Sequence, residues 1–150
     1  MSGPNIMMGY LNNPEATANT IKDGFLHTGD IGYVDENGFY FISDRKKELV
    51  KYKGLQVAPA ELEGLLMDHP AVLDAAVIPV FDHTQETEVP KAFVVVNPSF
   101  SNPRIAQEIE EWISKHVANY KTLRGGVEII DSIPKSASGK ILRRVLKDRE

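Results

Sequence analysis

The chain has 150 residues, of which 42% are hydrophobic and 25% charged, and its net charge is −4. These values are typical of a soluble globular protein of one domain, or of a small domain with part of another. The absence of cysteine excludes disulfides and thiolate chemistry, and the acidic balance argues against general nucleic-acid binding. No apolar run approaches the roughly 20 residues of a membrane span, and the first residues lack the pattern of a signal peptide.

Basic residues concentrate in two segments of this acidic chain. Residues 45–53 contain five basic residues and one acidic residue, and residues 135–150 contain six basic and two acidic residues. Each segment therefore carries a charge of +4. Two local basic clusters indicate a compact anionic ligand such as a phosphate group, and the alternative is two solvated surfaces.

The first elements are short. Asn13 followed by Pro14 predicts a capped helix that ends near Thr20. Residues 25–28 predict a short strand. Residues 31–34 and 39–42 are aromatic and β-branched runs on either side of an Asn-Gly turn, which predicts a hairpin.

Charge replaces apolar residues at Asp44 and Arg45, so we predict that the second hairpin strand ends there. We place a domain boundary at this point, with one unit over residues 1–44 and a second over residues 45–150. A further small hairpin is predicted over residues 48–58, around Lys53 and Gly54.

The remaining pattern alternates helices and strands. Pro59 predicts the start of a helix to about residue 68, with leucines at helical spacing on one face. Residues 72–80 and 91–97 predict two central strands joined by a polar loop over residues 81–88. A helix over residues 103–118 and a third strand over residues 127–130 follow.

A terminal helix completes the predicted elements. Its apolar side is predicted to comprise Ile141, Leu142, Val145 and Leu146, with Arg143, Arg144 and Lys147 turned elsewhere. Helices that flank a three-stranded sheet, together with a short hairpin, predict an α+β fold.

Three charged residues stand at positions where they could contact a ligand. Asp30 follows Gly29 at a tight turn and could accept both hydroxyls of a ribose, although such an Asp is often only a turn residue. Arg45 could donate to ribose or phosphate oxygens, or pair with a neighbouring acid on the surface. Lys140 follows a Ser/Gly loop and could reach a phosphate or carboxylate, or remain solvated.

Other kinds of site have no sequence support. The four histidines lack metal-ligand spacing, so no metal site is predicted. The chain contains no Gly-x-Ser-x-Gly motif and no cysteine, and therefore no nucleophile signature.

Four short motifs follow one another along the chain. They are Thr28-Gly29-Asp30, Asp44-Arg45, KYKGLQVAPAELE over residues 51–63, and PKSASGKILRR over residues 134–144. In this order they resemble the C-terminal part of the acyl-adenylate-forming superfamily, which contains acyl- and aryl-CoA ligases, beetle luciferases and peptide-synthetase adenylation domains. The residues of these motifs are most similar to those of 4-coumarate–CoA ligases and luciferases, and the resemblance extends over nearly the whole chain.

The resemblance implies roles in forming an acyl-adenylate. Asp30 and Arg45 would bind the ribose of ATP or AMP from two sides. Lys140 matches the lysine that bridges the carboxylate and the α-phosphate. Lys47 matches the hinge about which a small C-terminal domain rotates.

The resemblance also implies roles in forming a thioester with CoA. Lys51 and Gln56 match residues that serve adenylate binding or thioester formation. Gly54, between them, would allow the backbone to approach the pantetheine tunnel closely, because it has no Cβ. One domain would thus carry two half-sites on opposite faces.

As the resemblance implies, the substrates would be a small carboxylic acid, ATP and CoA, and the protein partner would be the chain's own N-terminal domain. That domain would contain the phosphate loop, the acyl pocket and the Mg²⁺ ligand, and residues 1–44 would be its last strands. We therefore expect no ligase activity from the 150 residues alone. The predicted location is cytoplasmic or peroxisomal.

Two other functions fit the same motifs. A luciferase-like oxidase of an adenylate would keep the same small domain. A non-catalytic interaction module could keep the fold without the chemistry.

Overall fold

The structure, a computed structural model, describes residues 1–149 and divides into two compact units, Met1–Lys47 and Glu48–Glu150. The first unit therefore ends at Lys47, whereas the sequence predicts its end at Asp44. The difference has a local cause. Arg45 pairs with Asp30 across two strands, and the Lys46 N–H donates to the carbonyl of Gly29 at 2.8 Å.

The first unit contains one short helix and two strand pairs. In the helix, Pro14 occupies the first turn and Asn13 Oδ1 accepts the N–H of Ala16 at 3.0 Å, which confirms the predicted cap. The elements are α1 Pro14–Thr20, β1 Ile21–Lys22, β2 Phe25–Leu26, β3 Asp30–Val34 and β4 Tyr40–Arg45.

Strands β3 and β4 form the predicted hairpin. Asp35 Oδ1 accepts the N–H groups of Asn37 and Phe39, so the turn is closed by a side chain as well as by the backbone. The second strand is longer than the apolar run over residues 39–42 predicts, because β4 includes Asp44 and Arg45. An irregularity between Ile31 and Gly32 shifts the register, and the pairing then continues to the end of both strands.

The second unit is an α+β fold, as the sequence predicts. Its sheet has the order β7-β8-β9, in which β8 is antiparallel to β7 and parallel to β9. The elements are β5 Val50–Tyr52, β6 Leu55–Val57, α2 Pro59–Met67, β7 Val72–Asp82, β8 Thr87–Val96, α3 Ile105–Ser114, β9 Val127–Ile129 and α4 Arg143–Lys147.

Strand β7 lies at the edge of the sheet, so its prediction as a central strand is wrong. The predicted polar loop over residues 81–88 is also shorter than expected, because both strands extend into it. Asp82 Oδ1 accepts the N–H groups of Thr84 and Gln85, and Asp82 Oδ2 accepts the Gln85 side-chain N–H at 2.7 Å. These bonds with Gln85 lower the pKa of Asp82 and close a tight turn.

Helix α3 is shorter than the predicted span of residues 103–118. Asn102 Oδ1 accepts the N–H of Arg104 at 2.8 Å, which forms a turn before the helix. At the other end the ring of His116 donates to the carbonyl of Trp112 at 2.8 Å. Within these limits Ile105, Ile109 and Ile113 recur at helical spacing and form a buried apolar face.

The sheet separates two apolar cores. Alternate residues of a strand point to opposite faces, so Ala75 and Val77 contribute to the first core, whereas Ala76 and Ile78 contribute to the second. The first core includes buried residues of α2, α3 and the β5–β6 hairpin. The second includes Leu146 of α4 and residues of the segment before it. Within residues 1–149, no helix combines the length and the apolar character that crossing a membrane requires.

His69 is a half-buried histidine that follows α2. Its Nδ1 accepts the N–H of Ala71 at 3.2 Å, and its ring packs edge-on against Trp112. Burial lowers the pKa of His69 below its ordinary value of 6.5, and the charge of Glu108 opposes this shift only in part. The neutral ring is therefore favoured in the folded state.

We predict that the contribution of His69 to the free energy of unfolding is fully present above pH 6.5. This support decreases as the pH falls through the lower pKa of the folded state, because the unfolded chain binds the proton more tightly. Urea unfolding followed by circular dichroism between about pH 7.5 and pH 5.5 would measure the decrease. His69→Gln should flatten the profile and the exposed His83→Gln should not. If the free energy of unfolding of His69→Gln decreased with falling pH as steeply as that of the parent, the prediction would be contradicted.

Candidate functional site

Asp30 and Arg45 face each other at the end of the β3–β4 pair. They are direct partners in the register, and Arg45 Nε lies 3.4 Å from Asp30 Oδ1. The Arg45 side chain is 58% exposed, so this ion pair contributes little to stability. A carboxylate acceptor beside a guanidinium donor is an arrangement that can bind vicinal hydroxyls.

Lys47 is the last residue of the first unit. It is exposed and lies in a turn between β4 and the next segment. A residue at the junction of two units can change its backbone angles without disturbing either core. This position is compatible with the hinge that the sequence predicts at Lys47, which stays a prediction.

Lys51 and Gln56 are direct partners in the β5–β6 hairpin and both are exposed. The flanking residues Val50 and Val57 are fully buried, so the alternation fixes which side chains face outward. We call Lys51, Gln56 and the turn residue Gly54 the hairpin half-site.

Gly54 is required by the turn of this hairpin. Lys53 and Gly54 have φ values of +46° and +82°, which suits a two-residue turn with two left-handed positions. A Cβ at Gly54 would have no heavy atom within 4 Å among the described residues. The backbone at this position is therefore open to approach from outside.

Side chains of β8 hold the backbone of the hairpin. The Thr87 hydroxyl accepts the Lys53 N–H at 2.9 Å and donates to the Lys51 carbonyl at 3.0 Å. Glu88 Oε2 accepts the Lys51 N–H at 2.8 Å. Sequence reasoning missed Thr87 and Glu88, because the pattern places them in a polar loop and long-range contacts leave no local signal.

Lys140 lies in a closed turn, which we call the Lys140 loop and define as residues 134–142. The Ser136 N–H donates to the Lys140 carbonyl at 2.8 Å, and the Lys140 N–H donates to Ser136 Oγ at 3.2 Å. Gly139 has a φ of +80°, a value that glycine adopts without strain. The Lys140 side chain is exposed and has no ion pair with any residue from 1 to 149.

The hairpin half-site and the Lys140 loop are not brought together. Val50 and Val57 pack in the first core, whereas Ile141 packs against the second. The sheet of β7, β8 and β9 separates these cores. The two sets of polar side chains are therefore carried on opposite faces of one sheet.

Helix α4 differs from its prediction. Leu146 is fully buried and Ile141 is packed against the second core, but Leu142 and Val145 are exposed. Arg143 takes the inward position instead, one helical turn before Leu146. Its prediction as an outward residue is wrong, because it forms ion pairs with acidic residues of the second unit.

The described residues contain no group of three or more His, Cys, Asp or Glu side chains arranged to hold a metal ion.

The chain belongs to the family of AMP-binding enzyme C-terminal domains, which matches residues 61–140, just over half of its length. The match begins in α2 and ends at Lys140. This family membership confirms the resemblance that the four motifs indicate.

Relatives and solved structures extend the similarity over the rest of the chain. It is 54% identical over 149 residues to probable 4-coumarate–CoA ligase 1 of Dictyostelium discoideum, and 53% identical over 148 residues to 4-coumarate–CoA ligase of Pinus taeda. These alignments cover 99% and 98% of the chain but only 26% of each relative. The chain thus spans about a quarter of their length.

One similar solved structure is o-succinylbenzoate CoA synthetase (MenE) from Bacillus subtilis, in complex with the acyl-adenylate intermediate OSB-AMP. It matches with a TM-score of 0.84 and 36% identity, and covers 98% of this chain and 29% of that one. The similarity confirms the predicted α+β fold.

Proposed function

We propose that the chain supplies the C-terminal quarter of an ATP-dependent acid–CoA ligase. In the first half-reaction a carboxylate oxygen attacks the α-phosphorus of ATP and pyrophosphate leaves. In the second, the CoA thiol attacks the acyl carbon, the C–S bond forms, AMP leaves and the thiol proton passes to solvent. The single observation that carries this proposal is the placement of two polar half-sites on opposite faces of one sheet, in a chain about half identical to 4-coumarate–CoA ligases.

In the first half-reaction Lys140 has the central role. Its ammonium group bridges the acid and the α-phosphate and offsets the negative charge that develops there. The exposure of Lys140 and the lack of an ion pair within residues 1–149 support this role, because the ammonium group is available to a ligand. Asp30 accepts the ribose hydroxyls and Arg45 donates to them, which the 3.4 Å pairing of the two side chains supports.

In the second half-reaction the hairpin half-site replaces Lys140. Rotation of the second unit about Lys47 brings Lys51 and Gln56 to the adenylate and the open backbone at Gly54 to the pantetheine of CoA. The absence of any atom within 4 Å of a Cβ at Gly54, among the described residues, supports this approach. The Mg²⁺ that accompanies ATP is expected to find its ligand in the N-terminal domain.

A chimeric ligase tests the proposal. The 150 residues would replace the matching quarter of the Pinus taeda 4-coumarate–CoA ligase. We expect acid-dependent ATP–pyrophosphate exchange and CoA-dependent release of AMP. The 150 residues alone should show neither activity and provide the background.

The other outcomes of this experiment are equally informative. Exchange with light emission and no thioester would favour an adenylate oxidase. A chimera that folds and shows no exchange above that of the N-terminal part alone would contradict the proposal and favour a non-catalytic interaction module.

A further inference from the structure

Arg143 is a nearly buried cation that the proposed chemistry does not use. It is the first residue of α4, and its side chain is 15% exposed. Its Nη2 donates to both carboxylate oxygens of Glu63 at 2.7 and 2.9 Å, and its Nη1 lies 2.8 Å from Glu48 Oε2. Its Nε donates to the carbonyl of Val77 at 3.3 Å. All three guanidinium nitrogens therefore have acceptors, which come from three different parts of the second unit.

Arg143 and Glu63 also supply hydrogen-bond partners to backbone groups at the edge of the sheet. Val77 belongs to the edge strand β7, and its N–H donates to Glu63 Oε1 at 2.8 Å while its carbonyl accepts from Arg143. A planar guanidinium whose Nη2, Nη1 and Nε contact three different acceptors has a fixed orientation, unlike the single point charge of a lysine. Arg143 therefore fixes the start of α4 at one position along β7.

This position determines where Lys140 stands. Only Ile141 and Leu142 lie between Lys140 and Arg143, and Ile141 packs against the second core. At its other end the Lys140 loop is closed on Ser136. The third acceptor, Glu48, directly follows the predicted hinge residue Lys47. One guanidinium thus joins the segment after the hinge to the helix after Lys140.

We propose that Arg143 is a positioning residue for the adenylation half-reaction, which holds Lys140 in register with α2 and with the segment after the hinge. This inference rests on the proposed role of Lys140. The inference predicts that removing Arg143 affects one half-reaction and not the other. Loss of Arg143 displaces Lys140, whereas Lys51 and Gln56 keep their places, because Thr87 and Glu88 of β8 hold the backbone of the hairpin half-site.

The test compares both half-reactions in the chimeric ligase. Arg143→Ala should reduce ATP–pyrophosphate exchange about ten- to a hundredfold, as expected when a catalytic group is misplaced by about 1 Å. Thioester formation from supplied acyl-adenylate should stay within about twofold of the parent, because bound intermediate no longer requires Lys140. Arg143→Lys should give exchange rates between those of Arg143→Ala and the parent.

Two further variants separate positioning from general stability. Arg144→Ala alters the next residue of the same helix, which is exposed and unpaired with acids among residues 1–149, and should keep parental exchange. Glu48→Gln leaves the bonds of Arg143 to Glu63 intact and should lower exchange only partly. If Arg143→Ala does not fold, as judged by its thermal unfolding midpoint, Glu48→Gln and Arg143→Lys still decide the question.

The possible failures are distinguishable. Equal loss of both half-reactions in Arg143→Lys and Glu48→Gln, or parental exchange in Arg143→Ala, would overturn the inference. If Lys140→Ala, assayed in parallel, also keeps parental exchange, the proposed function itself fails. If Lys140→Ala is impaired and Arg143→Ala is not, only the positioning role is lost.

Discussion

Replacing Lys140 with alanine in the chimeric ligase is expected to slow acyl-adenylate formation by about 10²- to 10³-fold, the usual cost of removing one group that stabilises developing charge. The fold should not change, because the side chain is exposed and only the backbone of Lys140 closes its turn. ATP–pyrophosphate exchange measures the first half-reaction directly. Conversion of supplied acyl-adenylate to the thioester should proceed at nearly the parental rate.

Lys51→Ala is the matched control for this variant. Both residues are exposed lysines without an ion pair among residues 1–149, but they stand on opposite sides of the sheet. Lys51→Ala should therefore give the reverse result, with slower thioester formation and a smaller change in exchange. Two variants with the same loss in both assays would contradict the assignment of one half-site to each half-reaction.

Replacing Phe93 with alanine is expected to lower the free energy of unfolding of the second unit by about 3–5 kcal/mol. Phe93 lies in the central strand β8 with 0% exposure and packs in the second core with Ile78 and Leu146. The change removes a large buried apolar surface and leaves a cavity that the strands on either side of β8 cannot close. Urea unfolding followed by the fluorescence of Trp112, the single tryptophan of the chain, reports on this unit.

Phe81→Ala makes the same chemical change at an exposed position. Phe81 belongs to β7 and is 57% exposed, so its loss should change the free energy of unfolding by no more than about 0.5 kcal/mol. Comparable losses in the two variants would show that the second core contributes little to stability. A large loss confined to Phe93→Ala is the expected result.

The elements that the sequence predicts well have local causes. The helix at Pro14 follows a capping Asn13, and the β3–β4 hairpin follows an Asn-Gly turn. The β5–β6 hairpin is likewise marked by Lys53 and Gly54, which its turn requires. Each of these signals lies within a few residues of the structure that it specifies.

The features that the sequence does not predict depend on distant residues. Strand β7 is apolar enough to be central, but it is at the edge, because β9 pairs with the far side of β8. Its free backbone groups at Val77 are satisfied by Glu63 and Arg143, which are 80 residues apart in the chain. Helical spacing alone therefore could not identify Arg143 as an inward residue. In the same way, the end of the first unit at Lys47 depends on the pairing of Arg45 with Asp30.

The three-stranded sheet with a core on each face has a consequence for the timing of the proposed reaction. Lys140 and the hairpin half-site are attached to opposite sides of one small, packed body. In the proposed mechanism, a rotation that brings one of them to the reacting atoms removes the other. We therefore expect geometry to set the order of the two half-reactions, since the thiol would not meet the hairpin half-site until Lys140 has withdrawn. Such mutual exclusion would protect the activated acid from reaction out of turn without a separate regulatory element.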